Sequence, residues 1–358
     1  MMAGITALVL GFWLAPKFIR RLSGFCQPER GSDVMGEIAK KGGRVPTMGG
    51  LLILVASLAS SLLWVRPNTL VLSALLVYVC ASATGLWDDW RKVAHGDGIS
   101  EREKSAGLTL SALAGAVVLL GNGETQAKAI EIWVPFLSSP VLTADMLPLW
   151  AGIAVAVAGF WVVTFCSSNA VNLTDGIDGL SIGCVITTLL SFGVITYLSG
   201  HSIFARYLKI SPVPGAGELL VLTAALLGGC VVFLWHNSKP AAIYMGDVGS
   251  LGLGGYIGAM AFICNQPLLL PIIGGVFVVE AGSALAQRIY FKRTRASGGK
   301  GMLIFKMTPL HHHFQTVRRE GALLQMPFRR WADEKIVVRF WLVSLLCGIL
   351  GLATLKLR

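Results

Sequence analysis

The chain has 358 residues, of which 54% are hydrophobic and only 14% charged, and its formal net charge is +11. A soluble domain carries about 25% charged residues, so the composition excludes a water-solvated fold and predicts one all-α, polytopic membrane domain over residues 1–358. The basic surplus, 30 Lys and Arg against 19 Asp and Glu, becomes a question of which loops carry it, and no nucleic-acid partner is expected.

A helix needs roughly 20 apolar residues to cross the hydrocarbon core. Ten segments meet that need, at about 1–20, 47–65, 68–87, 106–121, 148–168, 178–199, 217–236, 248–265, 268–290 and 337–355. In the first, Lys17, Arg20 and Arg21 follow the apolar run, the wrong order for a cleaved signal peptide, so an uncleaved anchor with its N-terminus outside is expected. Alternating the loops from there places 17–46, 88–105, 169–177, 237–247 and 291–336 on one side, which holds 24 of the 30 Lys and Arg when Arg288 and Arg339 at the segment ends are counted with it. The positive-inside rule makes that side cytoplasmic and both termini periplasmic. On the outer side, 129–136 alternates and predicts a short strand. The seven cysteines show no metal-ligand spacing and read as helix-packing residues.

Polar residues gather in the cytoplasmic loops. Asp88 and Asp89 close the third segment, where the negative end of the helix dipole disfavours them. A local pair with Lys92, worth about 0.2–0.5 kcal/mol, is the ordinary explanation. The functional one is a metal or proton-accepting site, with Lys92 and Lys104 meeting phosphate. Between the fifth and sixth segments stand Asn169, Asn172, Thr174, Asp175 and Asp178, the two aspartates spaced to share a helical face. Helix capping accounts for each singly. It does not account for two carboxylates without a basic partner, which call for Mg²⁺ or lysines of other loops.

Asp247 stands where the eighth helix begins, as an N-cap or as a third carboxylate at the same membrane depth. His311, His312 and His313 follow Thr308-Pro309-Leu310. On a helix they fan by about 100° each, and without further zinc ligands they suit hydrogen bonds to phosphate or carboxylate. His95 and His201 read as surface residues. Glu280 is the one carboxylate well inside a segment, a helix brace or a transport residue. No P-loop occurs, since Gly298-Gly299-Lys300 lacks the earlier glycine, and there is no nucleophile elbow or zinc helix.

Five ordered motifs carry a resemblance: Pro46-Thr47-Met48-Gly49-Gly50, Asp88-Asp89 with Lys92, Asn172-Leu173-Thr174-Asp175-Gly176 with Asp178-Gly179, Gly246-Asp247 with Gly249-Ser250, and Pro309-Leu310-His311-His312-His313-Phe314. Together the chain resembles the phospho-N-acetylmuramoyl-pentapeptide transferases, within the wider polyprenyl-phosphate sugar-phosphate transferases. The resemblance implies a ten-helix, usually dimeric enzyme of the bacterial inner membrane with its site open to the cytoplasm. It implies transfer of phospho-N-acetylmuramoyl-pentapeptide from UDP to undecaprenyl phosphate, giving lipid I and UMP, with Mg²⁺ as cofactor. It assigns Asp247 to the metal, with Asp88 and Asp89 close by, and Lys92, Lys104, His311 and His312 to catalysis or phosphate. Thr47, Asn172, Asp175, Gly176, Asp178, Asn237, Tyr244, Gln287 and His313 match substrate-binding positions. One segment departs: the family's Lys-x-Gly-Thr before Pro46 is here Lys40-Lys41-Gly42-Gly43-Arg44-Val45, leaving Lys41 or Arg44 for the lysine's role.

Two other readings stand beside this one. Transfer of N-acetylhexosamine phosphate is disfavoured by the triple-histidine element. A non-enzymatic transporter would carry its carboxylates near the bilayer midplane, whereas these cluster at one face.

Overall fold

The structure, a computed structural model, describes residues 1–28, 44–296 and 301–357. Lys40, Lys41, Gly42 and Gly43 of the altered segment, and Gly298-Gly299-Lys300, lie outside the described residues; Arg44 is described in its backbone alone.

All ten apolar segments are helical. In chain order the helices are α1 (Met2–Leu22), α2 (Gly50–Trp64), α3 (Thr69–His95), α4 (Glu101–Leu120), α5 (Gly123–Ile130), α6 (Leu149–Thr174) and α7 (Leu180–Gly200). There follow α8 (Ser202–Leu208), α9 (Ala216–Asn237), α10 (Gly246–Ile263), α11 (Leu270–Ile273), α12 (Gly275–Ala296), α13 (Leu310–Gln315) and α14 (Asp333–Thr354). Seven of these are long and apolar enough to cross a bilayer, or eight when the bent pair at α11–α12 counts as one span. The 15-residue α2 and the glycine-rich α10 fall outside those limits. The chain is a polytopic helical membrane protein.

Segment 268–290 is not one straight helix. Residues Pro267–Ile273 and Gly275–Ala296 meet at 85° across Gly274. Pro267 and Pro271 lack the amide hydrogens that a continuous ladder needs, and paired glycines at 274 and 275 let the backbone turn. The expected outer strand at 129–136 reduces to one bridge, Ile132 to Leu142, because Ala129 and Ile130 finish α5.

Two helices overrun their expected ends, and both overruns carry polar motifs. α3 continues two turns past Asp88 and Asp89 to His95, where Gly96 in the left-handed region stops it. The aspartates therefore sit inside the helix, away from the unfavourable dipole end. α6 continues to Thr174, so Asn169, Asn172 and Thr174 end a helix instead of capping the next. Asp175 and Asp178 lie in the turn before α7 and share no helical face; Gly179, at φ +77°, prevents the helices from joining.

α10 is the centre of the bundle: every residue of it except Asp247 is buried. A helix apolar all round belongs in such a place, and its glycines let neighbours approach backbone to backbone. A Cβ on Gly50 of α2 would collide with the Gly249 nitrogen, and one on Gly85 of α3 with the Asp247 carbonyl. Residues 46–50 complete the seal. Tyr244 N–H donates to the Pro46 carbonyl at 2.8 Å, Gly49 N–H to Tyr244 O at 2.7 Å and Gly50 N–H to Met245 O at 2.8 Å.

Two small sheets complete the described structure. β1 (Cys26–Pro28) pairs antiparallel with β2 (Arg44–Pro46), and β3 (Leu303–Phe305) pairs parallel with β4 (Ala322–Leu324). All seven cysteines are free, and Cys184, Cys230 and Cys264 are buried, as packing residues should be. His95 and His201 are exposed.

Gly85→Ala places a methyl against the α10 backbone, and overpacking of this kind costs about 1–3 kcal/mol. The expected result is a lower apparent Tm in detergent, with a smaller drop for Ala at Gly123, which has open space around it.

Candidate active site

Three helices converge on one cluster of charges. Asp88 and Asp89 come from α3, Lys104 from the first turns of α4 and Asp247 from the first turn of α10. Asp88 Oδ2 stands 2.8 Å from both Lys92 Nζ and Lys104 Nζ. Asp247 Oδ2 accepts from the same two ammoniums, at 3.1 Å and 2.5 Å. Lys92 Nζ also lies 3.9 Å from Asp89. The expected local pair of Asp88 and Lys92 is thus present, but inside a five-residue network of three carboxylates and two cations. Losing one partner from a buried network costs about 3–5 kcal/mol, because it strands the other charge.

Backbone amides fix the aspartates. Asp88 Oδ1 accepts from Ile99 N–H at 2.7 Å, in the loop that leads to the Ser100–Glu103 capping box of α4. Asp89 Oδ2 accepts from Val248 N–H at 3.2 Å. Asp89 therefore satisfies a free amide at the N-terminus of α10 from a neighbouring helix. Asp247 is not the N-cap: Met245 holds that position without a side-chain bond, leaving the Asp247 carboxylate for the lysines. Gly246, at φ +70°, has no room for a Cβ beside Asp89.

The turn after α6 lies against the next part of the site. Ser250 Oγ donates to Asn172 Oδ1 at 2.8 Å, tying α6 to α10. Asn237 Oδ1 accepts from Gly179 N–H at 2.9 Å, and its amide donates to Ile243 O at 2.8 Å, so this side chain braces two loops. Asp178 is buried and Asp175 half-buried. Lys239, a lysine of the next loop, is paired with Asp333 and lies near Glu334. Burial lowers its pKa, but Asp333, Glu334 and Asp178 outweigh that and hold it above the usual value.

The three histidines fan around α13 as a helix requires. His311 is fully buried: its Nδ1 lies 3.0 Å from Glu280 Oε2, and its backbone N–H donates to Glu280 Oε1 at 3.1 Å. Its ring presses on Gly176, where a Cβ would collide with it. The His312 ring stacks at 4.1 Å from that of His311, with Nδ1 2.7 Å from Gln315 Oε1. His313 points elsewhere: Nδ1 accepts from Lys306 N–H at 3.0 Å and Nε2 donates to Met326 O at 2.7 Å. Gln287 accepts from Ile304 and Phe305 N–H at 3.0 and 2.8 Å, stitching α12 to β3.

The sequence profile of glycosyl transferase family 4 matches residues 71–265, which span α3 to α10. Over 366 aligned residues the chain is 42% identical to a phospho-N-acetylmuramoyl-pentapeptide-transferase of Opitutus terrae, covering 100% of this chain and 93% of that protein. The chain belongs to this transferase family.

Among the transferase positions expected from sequence, the structure unites Asp88, Asp89, Lys92, Lys104 and Asp247 in one cluster and Gly176 with His311. Asn237, Gln287 and His313 spend the polar contacts described above on the chain itself. Thr47 and Tyr244 are fully enclosed, and the Thr47 hydroxyl has no hydrogen-bond partner among the described residues. Glu280 proves to be the holder of His311; a lone carboxylate inside an apolar segment was its only signal. Lys306 gave no signal. Its buried ammonium donates to the carbonyls of Thr316 and Pro327 at 2.5 and 2.7 Å, fastening the last loop.

Among the described residues no group of three or more His, Cys, Asp or Glu side chains is arranged to hold a metal unaided. Mg²⁺ does not need one, since it is held by one or two carboxylates together with water and substrate phosphate. The donor set here is carboxylate oxygen, as Mg²⁺ prefers. The Asp247 side chain keeps 13% exposure while those of Asp88 and Asp89 keep 1%. The donor chemistry suits the ion, and Asp247 is the most exposed of the three carboxylates that could hold it.

Burial pushes the His313 imidazole below its usual 6.5, against a small upward pull from the Met326 carbonyl. A lowered folded-state pKa means the anchoring is complete above about pH 6.5 and is lost as the pH falls through the folded value. The apparent Tm of the unaltered chain should decline from pH 7.5 to 5.5, and His313→Asn, less stable at pH 7.5, should decline less.

Proposed function

We propose that the chain transfers phospho-N-acetylmuramoyl-pentapeptide from UDP-N-acetylmuramoyl-pentapeptide to undecaprenyl phosphate, forming lipid I and UMP with Mg²⁺ as cofactor. It works in the inner membrane as a homodimer, with both termini periplasmic and the site facing the cytoplasm, where the Lys and Arg count is highest. The observation that carries this reading is the pair of ammoniums shared between Asp88 and Asp247. Both substrates are anionic, and moving a phosphoryl group between them is mainly positioning and charge neutralisation.

Lys92 and Lys104 are preset for that work. When a diphosphate enters, they exchange carboxylate oxygens for phosphate oxygens without travelling far. Asp88 or Asp89 accepts the proton of the lipid phosphate. The freed oxygen bonds to the β-phosphorus, the bond from that phosphorus to the bridging oxygen breaks, and UMP leaves. Asp247 holds Mg²⁺, which when bound neutralises charge on the diphosphate. The turn from Asp175 to Asp178 lies beside the cluster as the nucleoside wall.

An apolar cavity of about 840 Å³ supports a lipid partner. It lies between α6 and α12, from Ile130 and Ile132 at one end to Ser167 and Ala170 at the other. The second end is one turn from Asn172, so a prenyl chain in the cavity brings its phosphate to the charged cluster. A transporter reading finds less support, because the buried Glu280 is committed to His311.

Purified chain supplied with both substrates should release UMP with Mg²⁺ and stop on addition of EDTA. Asp247→Asn should lower kcat about 10²-fold or more. Turnover with UDP-N-acetylglucosamine alone would overturn the assignment. Ala158→Trp, filling the cavity wall, should raise KM for undecaprenyl phosphate about tenfold while KM for the nucleotide stays within twofold.

A further inference from the structure

Glu280 is fully buried in α12, on a helix whose other face, at Phe277, Val278 and Ala281, lines the apolar cavity. A carboxylate in such surroundings is costly unless its oxygens are used. Here they receive two N–H groups of one residue. Oε1 takes the backbone N–H of His311 at 3.1 Å, and Oε2 faces Nδ1 at 3.0 Å. The first bond satisfies an amide in the opening turn of α13, which has no side-chain cap of its own. The second fixes which way the imidazole is turned, since a carboxylate draws the ring hydrogen to Nδ1.

The far edge of the ring is then forced toward the turn after α6. Nε2 is buried, has no hydrogen-bond partner among the described residues, and faces Gly176, where even a methyl would collide with it. Gly176 lies between Asp175 and Asp178, so the ring fills the space under that turn. Among the described residues the Glu280 bonds are the only hydrogen bonds that fix the ring's angle; the remaining restraint is packing against Gly176 and the His312 ring.

We propose that Glu280 is a positioning residue: it locks the His311 ring against Gly176 and so holds the turn from Asp175 to Asp178 in its nucleotide-binding shape. This deepens the transferase reading and rests on it. The competing explanation is a plain packing brace for α12, in which Glu280 acts without His311. Acting through His311 makes the two residues a unit, and residues that act as a unit are non-additive.

The test is a double-mutant cycle on the full-length chain in detergent, read by equilibrium binding of UDP-N-acetylmuramoyl-pentapeptide without lipid substrate. Glu280→Ala should weaken binding at least tenfold when His311 is present and less than twofold in the His311→Ala background. Equal fold losses in both backgrounds would overturn the proposal. If Glu280→Ala does not fold, the near-isosteric Glu280→Gln serves. The amide nitrogen that replaces one carboxylate oxygen is a donor and faces an N–H group it cannot accept from, so a loss of threefold or more is expected, and wild-type affinity sinks the idea. A second arm tests the contact itself: Gly176→Ala should weaken binding at least tenfold alone and have no further effect once His311 is Ala. Failure of the unaltered chain to bind the nucleotide would count against the transferase reading and not against this contact.

Discussion

The structure depends on the place where α3 and α10 touch backbone to backbone. Gly85 and Gly246 remove the side chains that would hold these helices apart, and Asp89 then reaches across to the Val248 amide. That single bond caps the central helix, fixes the depth of Asp89 and leaves Asp247 free to face the lysines. Shift either helix by a methyl group and the cap, the carboxylate pair and the lysine bridges move together. The geometry of the charged cluster is therefore a property of helix packing.

A second layer of organisation works by buried polar contacts that never leave the chain. Asn237, His313 and Lys306 each satisfy backbone groups in segments without regular structure, and Gln287 satisfies two amides of the short strand β3. Backbone amides and carbonyls buried without partners are expensive, and these side chains remove that cost where neither helix nor sheet can. The loops at this end of the bundle are held by such bonds, which lets irregular chain keep a defined shape near the charged cluster.

Much of this was legible in the sequence, for physical reasons. Apolar runs of about 20 residues mark helices in lipid, and all ten contain helix, though only seven of these helices, or eight with the bent pair, are long and apolar enough to cross a bilayer. Motif order identified the charged cluster before any distance was known. Other features were hidden because they depend on where helices stop. Nothing in Leu86-Trp87-Asp88-Asp89 says that α3 runs on to His95, so the aspartates looked like a helix end when they are interior. Asp247 looked like an N-cap because the true cap comes from Asp89, 158 positions away in sequence and adjacent only in the fold. Asn237, Gln287 and His313 matched binding positions, yet sequence does not reveal that their polar atoms already have partners. The break at Gly274 was readable in Pro267, Pro271 and the paired glycines, but the hydropathy of the segment masked it.

The lysine bridges have a consequence for how the protein spends its time between substrates. Lys92 and Lys104 are already stripped of most of their water and matched to carboxylates in the ligand-free chain. An arriving diphosphate trades one set of oxygens for another, so the dehydration of two ammoniums is met once, as the chain folds, and not again at each turnover. On the proposed reading the site is an ion exchanger with its counter-ions built in: the carboxylates that hold the two ammoniums give way to phosphate oxygens and take the ammoniums back when product leaves.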